Sequence, residues 1–171
     1  MTKKREVKVS VCEIGGAKRP AGKKSNRNAF YRHKGDMAWC GVRDEPYKTE
    51  KGAWSGIIRR VLVGGRGESA KFHVRYFEIA AGGNSSLERH RHEHVVICVK
   101  GEGIVRTGKT KKRMAFMDTV YIAPDTIHQL MNPSKRPFGF LCIVNARRDR
   151  PKVLGYSVPG RPRLACFGRD R

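Results

Sequence analysis

Four of the six histidines of this 171-residue chain fall in two short segments: His90, His92 and His94 in SSLERHRHEHVVICV, and His128 in DTIHQLMN. Imidazole nitrogens joined by one carboxylate, such as Glu88, suit a first-row divalent ion. The chemistry they point to is therefore that of a metal centre. The cofactor expected is one divalent transition metal, Fe, Mn, Ni or Zn, and the donor types do not choose among these four. His33 and His73 stand alone in the sequence. His33 is read as exposed and His73 as a satisfied core histidine.

Side chains alternate faces along a strand, so Glu88, His90, His92 and His94 project the same way, followed by Val96 and Cys98. One face thus runs from imidazoles into hydrocarbon, as at the mouth of a small barrel whose closed end is packed. Arg89, Arg91 and, in the second segment, Gln129 fall on the opposite face. Reach limits the ligand count. At about 3.3 Å per residue, positions 88 and 94 of a straight strand stand roughly 20 Å apart, whereas a metal–nitrogen bond is about 2 Å. Either a bend or bulge folds this segment back, or some of its histidines face a substrate or lie behind the ligands.

The elements that must hold these residues are short and β-like: 57–63, 71–80, 94–99, 103–107, 118–123, 127–131 and 138–144, with turn signals at Gly64-Gly65, Gly82-Gly83, Gly101-Glu102-Gly103, Thr107-Gly108-Lys109 and Asn132-Pro133-Ser134. Successive short strands without helical periodicity predict an all-β antiparallel barrel or sandwich. Val96, Cys98, Phe140 and Cys142 are its expected core. The basic run KTKKR at 109–113 is read as decoration of a hairpin tip. Trp39, Tyr47 and Trp54, spaced among polar residues, suggest a segment that drapes over the barrel and pins itself with rings.

The residues resemble the cupin superfamily. Its first motif runs Gly, five residues, His-x-His, three or four residues, Glu, six residues, Gly; here stand Gly82, five residues, Glu88-Arg89-His90, three residues, His94, six residues and Gly101. The spacing matches and two donor types are exchanged, with Glu88 where the family usually has His and His94 where it usually has Glu. The second motif is matched by His128 and Asn132 with Pro124 nearby, while Met117, Ala123 and Asp125 depart from it. The chain is similar to small, single-domain, RmlC-like cupins of a subgroup largely without assigned function. The resemblance implies a double-stranded β-helix of jelly-roll type over about residues 55–146. It also implies a metal held by His90, His94, His128 and Glu88, with His92 beside the set. An alternative set is His90, His92 and His128, with Glu88 outside.

Composition bounds the partners. The net charge is +22, of which residues 1–34 carry +9 (11 Lys/Arg against 2 acids), 35–146 carry +7 and 147–171 carry +6. The ends, read as a flexible basic arm (1–34) and a basic Pro/Arg-containing tail (147–171) around the barrel domain (35–146), would attract polyanions without sequence readout. A nucleic-acid accessory role would rest on that attraction alone, since basic residues are not interleaved with stacking aromatics. Five scattered cysteines without a Cys-x-x-Cys pair argue against a disulfide framework and for a reducing cytoplasm. The basic start MTKKREVKVS is not followed by an apolar run, and no segment approaches membrane-spanning length. The function expected is a metal-dependent enzyme on a small molecule, for which the cupin resemblance implies a dioxygenase or related oxidative activity; a binding or sensor protein for a small ligand is the alternative. A homodimer is expected, because barrels of this size commonly pair through an edge strand or an exchanged segment.

Overall fold

The computed structural model describes residues 28–48 and 52–154. Among these residues there is no helix. Thirteen strands follow in order: β1 (His33–Gly35), β2 (Ala38–Trp39), β3 (Glu45–Pro46), β4 (Ser55–Val63), β5 (Phe72–Asn84), β6 (Glu88–Arg89), β7 (His94–Lys100), β8 (Gly103–Thr107), β9 (Thr110–Met114), β10 (Thr119–Ile122), β11 (His128–Met131), β12 (Phe138–Asn145) and β13 (Lys152–Val153).

All pairings are antiparallel, as the short connections require. One layer runs β10-β7-β12-β5-β4-β3 and the other β13-β6-β11-β8-β9, with β5 reaching both because Asn84 opposes Met131. The chain therefore closes into an antiparallel β-barrel of jelly-roll type. Alternation along the strands fills the interior: Ile79, Val96, Cys98, Ile122 and Phe138 are each at most 1% exposed, while Tyr76, on the other face of β5, is covered by Trp39. Phe140 and Cys142 join the same core. The segment 39–54 is pinned by rings as its composition suggests, Trp39 on Tyr76 with centroids 5.6 Å apart and Tyr47 on both Trp54 and Phe77 at 5.5 and 5.8 Å.

The structure differs from the sequence reading in places. Only Lys109 of the KTKKR run lies in the hairpin turn; residues 110–113 belong to strand β9, which pairs along its length with β8. Its first four residues are exposed, so no hydrophobic alternation marks it, and its lysines and arginine are the charges that keep an edge strand from pairing with other chains. His73 is half-buried rather than a core residue. Of the basic ends, 1–27 and 155–171 lie outside the described residues. Residues flanking them pack on the barrel: Tyr31 donates to Glu68, and β13 pairs with β6.

Turn geometry explains the departures in the second motif. Met117 and Asp125 adopt φ values of 68° and 59°, where the family pattern carries glycine. Asp tolerates this left-handed region, but for Met it costs about 1–2 kcal/mol. Gly101, at φ 63° in the β7–β8 turn, has no alternative, since a Cβ there would meet the Pro137 carbonyl. Met117 is 62% exposed and contributes little packing. Met117→Gly is therefore expected to stabilise the protein by about 0.5–1 kcal/mol after the entropy of an added glycine is subtracted. Denaturant titration checks this, and a lower midpoint for the variant would refute it.

Candidate metal centre

From Glu88 to Cys98 the side chains alternate strictly between inside and outside. Glu88, His90, His92, His94, Val96 and Cys98 are buried, while Arg89, Arg91 and Glu93 are exposed. Residues 90–93 belong to no strand, and this interruption between β6 and β7 supplies the bend that reach demands. Two contacts bind the segment to the second motif. His128 opposes Glu88 in the β11–β6 pairing, and the Asp125 N–H donates to the His90 carbonyl at 2.7 Å.

One ligand atom from each of His90, His94 and His128 lies within 4.8 Å of the others. The hydrogen bonds fix the tautomers of two rings. Nδ1 of His90 is 2.7 Å from the His92 carbonyl and Nδ1 of His128 is 2.9 Å from the Thr126 carbonyl. A carbonyl only accepts, so each Nδ1 carries the proton and each Nε2 offers its lone pair. His90 Nε2 is buried without a hydrogen-bond partner, a penalty of about 1–3 kcal/mol for a polar atom. A divalent ion at this point would relieve it, so the donors fit a metal. Burial pushes all three imidazoles below their ordinary value, helped by mutual repulsion. The neutral form favoured here is the form that ligates. For the same reason His128 and Glu88, 4.0 Å apart, are not an ion pair at neutral pH.

The two remaining candidates stand beside the trio. Glu88 Oε2 accepts from Lys48 at 2.5 Å and from the Ser86 hydroxyl at 2.9 Å, leaving Oε1 toward His128. His92 stacks on His90 at 3.6 Å, and its Nε2 is 3.2 Å from that of His94. Its Nδ1 donates to Asp149 at 2.7 Å. The Asp149 carboxylate also takes the Arg91 and His92 amides; the Arg91 amide foremost holds it well below the usual carboxylate range. Lys48 and Ser86 were not legible as site residues, because Lys48 is 40 positions from Glu88 and reaches it only through the draped segment.

The centre opens into a cavity of roughly 750 Å³, within the range of small-molecule sites. Tyr47, Phe77, Val96, Leu130 and Phe140 give it apolar walls, and Arg75, Arg148 and Lys48 give it charge. Cys142 Sγ lies 3.4 Å from His94 Nδ1, its thiol pushed up by burial.

Residues 75–144 match the family model described as a cupin domain. The chain is 40% identical over 116 residues to 1-methylthio-D-xylulose 5-phosphate methylsulfurylase of Rhodospirillum rubrum, covering 67% of this chain and 73% of that protein. Among solved structures it resembles a cupin-2 domain protein of Rhodospirillum rubrum (36% identity, TM-score 0.65, 74% of this chain and 84% of that one). A cupin 2 conserved barrel domain protein of Rhodopseudomonas palustris is similar to the same degree (36%, TM-score 0.67, 73% and 86%). This chain belongs to the cupin superfamily.

Two outcomes are expected of this geometry. His90→Ala and His128→Ala should lose the metal at a chelator concentration the parent protein withstands, whereas His92→Ala should weaken binding by about 10–100-fold, as for an outer partner. Elemental analysis of these variants with Glu88→Ala and His94→Ala decides it. Loss in His92→Ala with retention in Glu88→Ala and His94→Ala would place the site on His90, His92 and His128. The second outcome concerns acid. The unfolded chain takes up protons near the ordinary imidazole value of 6.5, which the folded chain resists. Stability of the metal-free protein is thus complete above about pH 6.5 and declines as pH falls toward the depressed folded values. Thermal melts in chelator between about pH 7 and 5 test it; a flat profile would show that the imidazoles are not held neutral.

Proposed function

We propose that this chain is a metal-dependent enzyme acting on a small phosphorylated sugar that carries a methylthio group. The observation that carries this reading is the convergence of three neutral, buried imidazoles on one point at the end of a small-molecule cavity. Its closeness in sequence to a methylsulfurylase of 1-methylthio-D-xylulose 5-phosphate supplies the substrate class. His90, His94 and His128 would hold the ion with Glu88 as carboxylate donor, and the ion when bound would polarise a carbonyl or hydroxyl oxygen as a Lewis acid.

The chain's own residues do the rest. Lys48 and Ser86 fix the Glu88 carboxylate, so that Oε1 is the oxygen left to accept a ligand or a substrate hydroxyl. Phe140, Leu130 and Val96 on the cavity wall offer the apolar and aromatic surface that a thioether prefers. A dioxygenase rests on the ligand set alone, and sulfur-group chemistry has the related protein as further support. Ligand sensing without turnover is separated from both by the same experiment.

That experiment incubates metal-loaded protein with 1-methylthio-D-xylulose 5-phosphate and a small thiol as acceptor, following the S-methyl signal by NMR. Consumption that disappears in His128→Ala is expected; stoichiometric binding without consumption would favour a sensor. A cytoplasmic location belongs to the same proposal, supported by the buried thiols Cys98 and Cys142; among the described residues no helix is long and apolar enough to cross a membrane. So do nonspecific polyanion contacts through the basic ends, which a steep loss of binding with salt would support and a flat one would refute. A homodimer is supported by Phe116, Met117 and Tyr121, exposed on and beside the edge strand β10. Light scattering should give twice 19.3 kDa, and the monomer mass would refute it.

A further inference from the structure

The cavity wall beyond His94 carries two guanidiniums without a carboxylate partner; Asp149 also lines the cavity, but its carboxylate is taken by the Arg91 and His92 amides and the His92 ring. Arg75, on β5, donates to Cys142 Sγ at 3.4 Å and lies over the Phe77 ring, 5.2 Å from its centroid. Its Nε is buried with no hydrogen-bond partner. Arg148, just past β12, donates to His73 Nδ1 at 3.0 Å, so that ring is a neutral acceptor and no counterion. Among the described residues neither guanidinium forms a salt bridge with a carboxylate, while Arg59 beside them is held by Glu45. Burial and the repulsion of Arg75 and Arg59 lower the pKa of Arg148. Two uncompensated guanidiniums facing one cavity are costly unless an anion joins them. Arginine, with its planar fork of donors, is the side chain best matched to a phosphate.

We infer that Arg75 and Arg148 form a subsite for the phosphate monoester of the substrate, on the cavity wall next to the reactive end at His90, His94 and His128. The placement is built into the sheet: Arg75 opposes Cys142 in the β5–β12 pairing, and Cys142 Sγ in turn touches His94 Nδ1 at 3.4 Å. Two contacts of 3.4 Å each thus connect the guanidinium to the imidazole, so a phosphate held at Arg75 keeps the rest of a short sugar beside the imidazoles. The subsite fixes which end of the molecule approaches the imidazoles and excludes neutral sugars that leave the two charges unpaired. It rests on the reading of this cavity as a substrate site, and adds the residues that recognise the charged end.

The test is calorimetric titration of the full chain, metal-loaded, with D-xylulose 5-phosphate, D-xylulose and inorganic phosphate. Salt of about 0.15 M shortens the reach of the chain's general positive field to about 8 Å. Arg148→Gln and Arg75→Gln are each expected to weaken D-xylulose 5-phosphate by about 10–100-fold, the range for a charge-assisted hydrogen bond. D-xylulose binding and metal content should be unchanged, and Lys111→Gln on the exposed strand β9 should match the parent for all three ligands. The subsite is overturned if both arginine variants bind the sugar phosphate like the parent, or if Lys111→Gln weakens it as much as they do. Equal losses for D-xylulose and its phosphate would also overturn it. Arg148→Gln lies past the last long strand, so it remains decisive if Arg75→Gln fails to fold. Should the arginine dependence hold while 1-methylthio-D-xylulose 5-phosphate is not consumed, the enzymatic proposal fails and the subsite stands. Consumption with an unchanged KM in Arg148→Gln would sink the subsite alone.

Discussion

The register that places His128 opposite Glu88 holds the two halves of the site together. The flanking strand β7 brings its own histidine in through pairing with β12, where His94 opposes Val144. A slip of one residue in either ladder would turn the inward imidazole it carries, His128 or His94, to the outer face. Register is enforced by the same face a few residues on, since Val96 and Cys98 are fully buried and their exposure would forfeit hydrophobic stabilisation. The core therefore secures the metal centre without touching it.

Burial governs the chemistry as well as the geometry. Three imidazoles facing one another in a water-poor pocket cannot all be charged, and the fold resolves this by keeping them neutral and fixing two protons on Nδ1 through backbone carbonyls. His90 and His128 thereby keep Nε2 lone pairs to offer a ligand. The Lys48–Glu88 pair and the Asp149–His92 pair apply the same logic around the rim, each giving a partly buried charge or polar ring a partner of opposite kind. Arg75 and Arg148 break that rule, which is why they point to a ligand.

The draped segment 39–48 acts as more than a cover. Trp39 and Tyr47 anchor it by ring contacts on Tyr76 and Phe77, and these contacts deliver Lys48 to Glu88. Site and wrapping are thus coupled. Loosening the rings would release the carboxylate that stands nearest His128.

Much of this molecule was legible in the residues themselves. Alternation over residues 88–98 set which side chains face inward, because period two is a property of any extended chain, and the motif spacing indicated the cupin barrel. Sequence alone left β9 unseen, because a strand exposed on both faces carries no hydrophobic alternation. It also left open how Glu88, His92 and His94 divide their roles, since that depends on where the chain bends between Arg89 and His94. Only the tertiary structure brought Lys48, Arg75, Arg148 and Asp149 to the cavity. These residues come from segments far apart in the chain, and their meeting is decided by sheet register and wrapping, long-range contacts that no local pattern of side chains records.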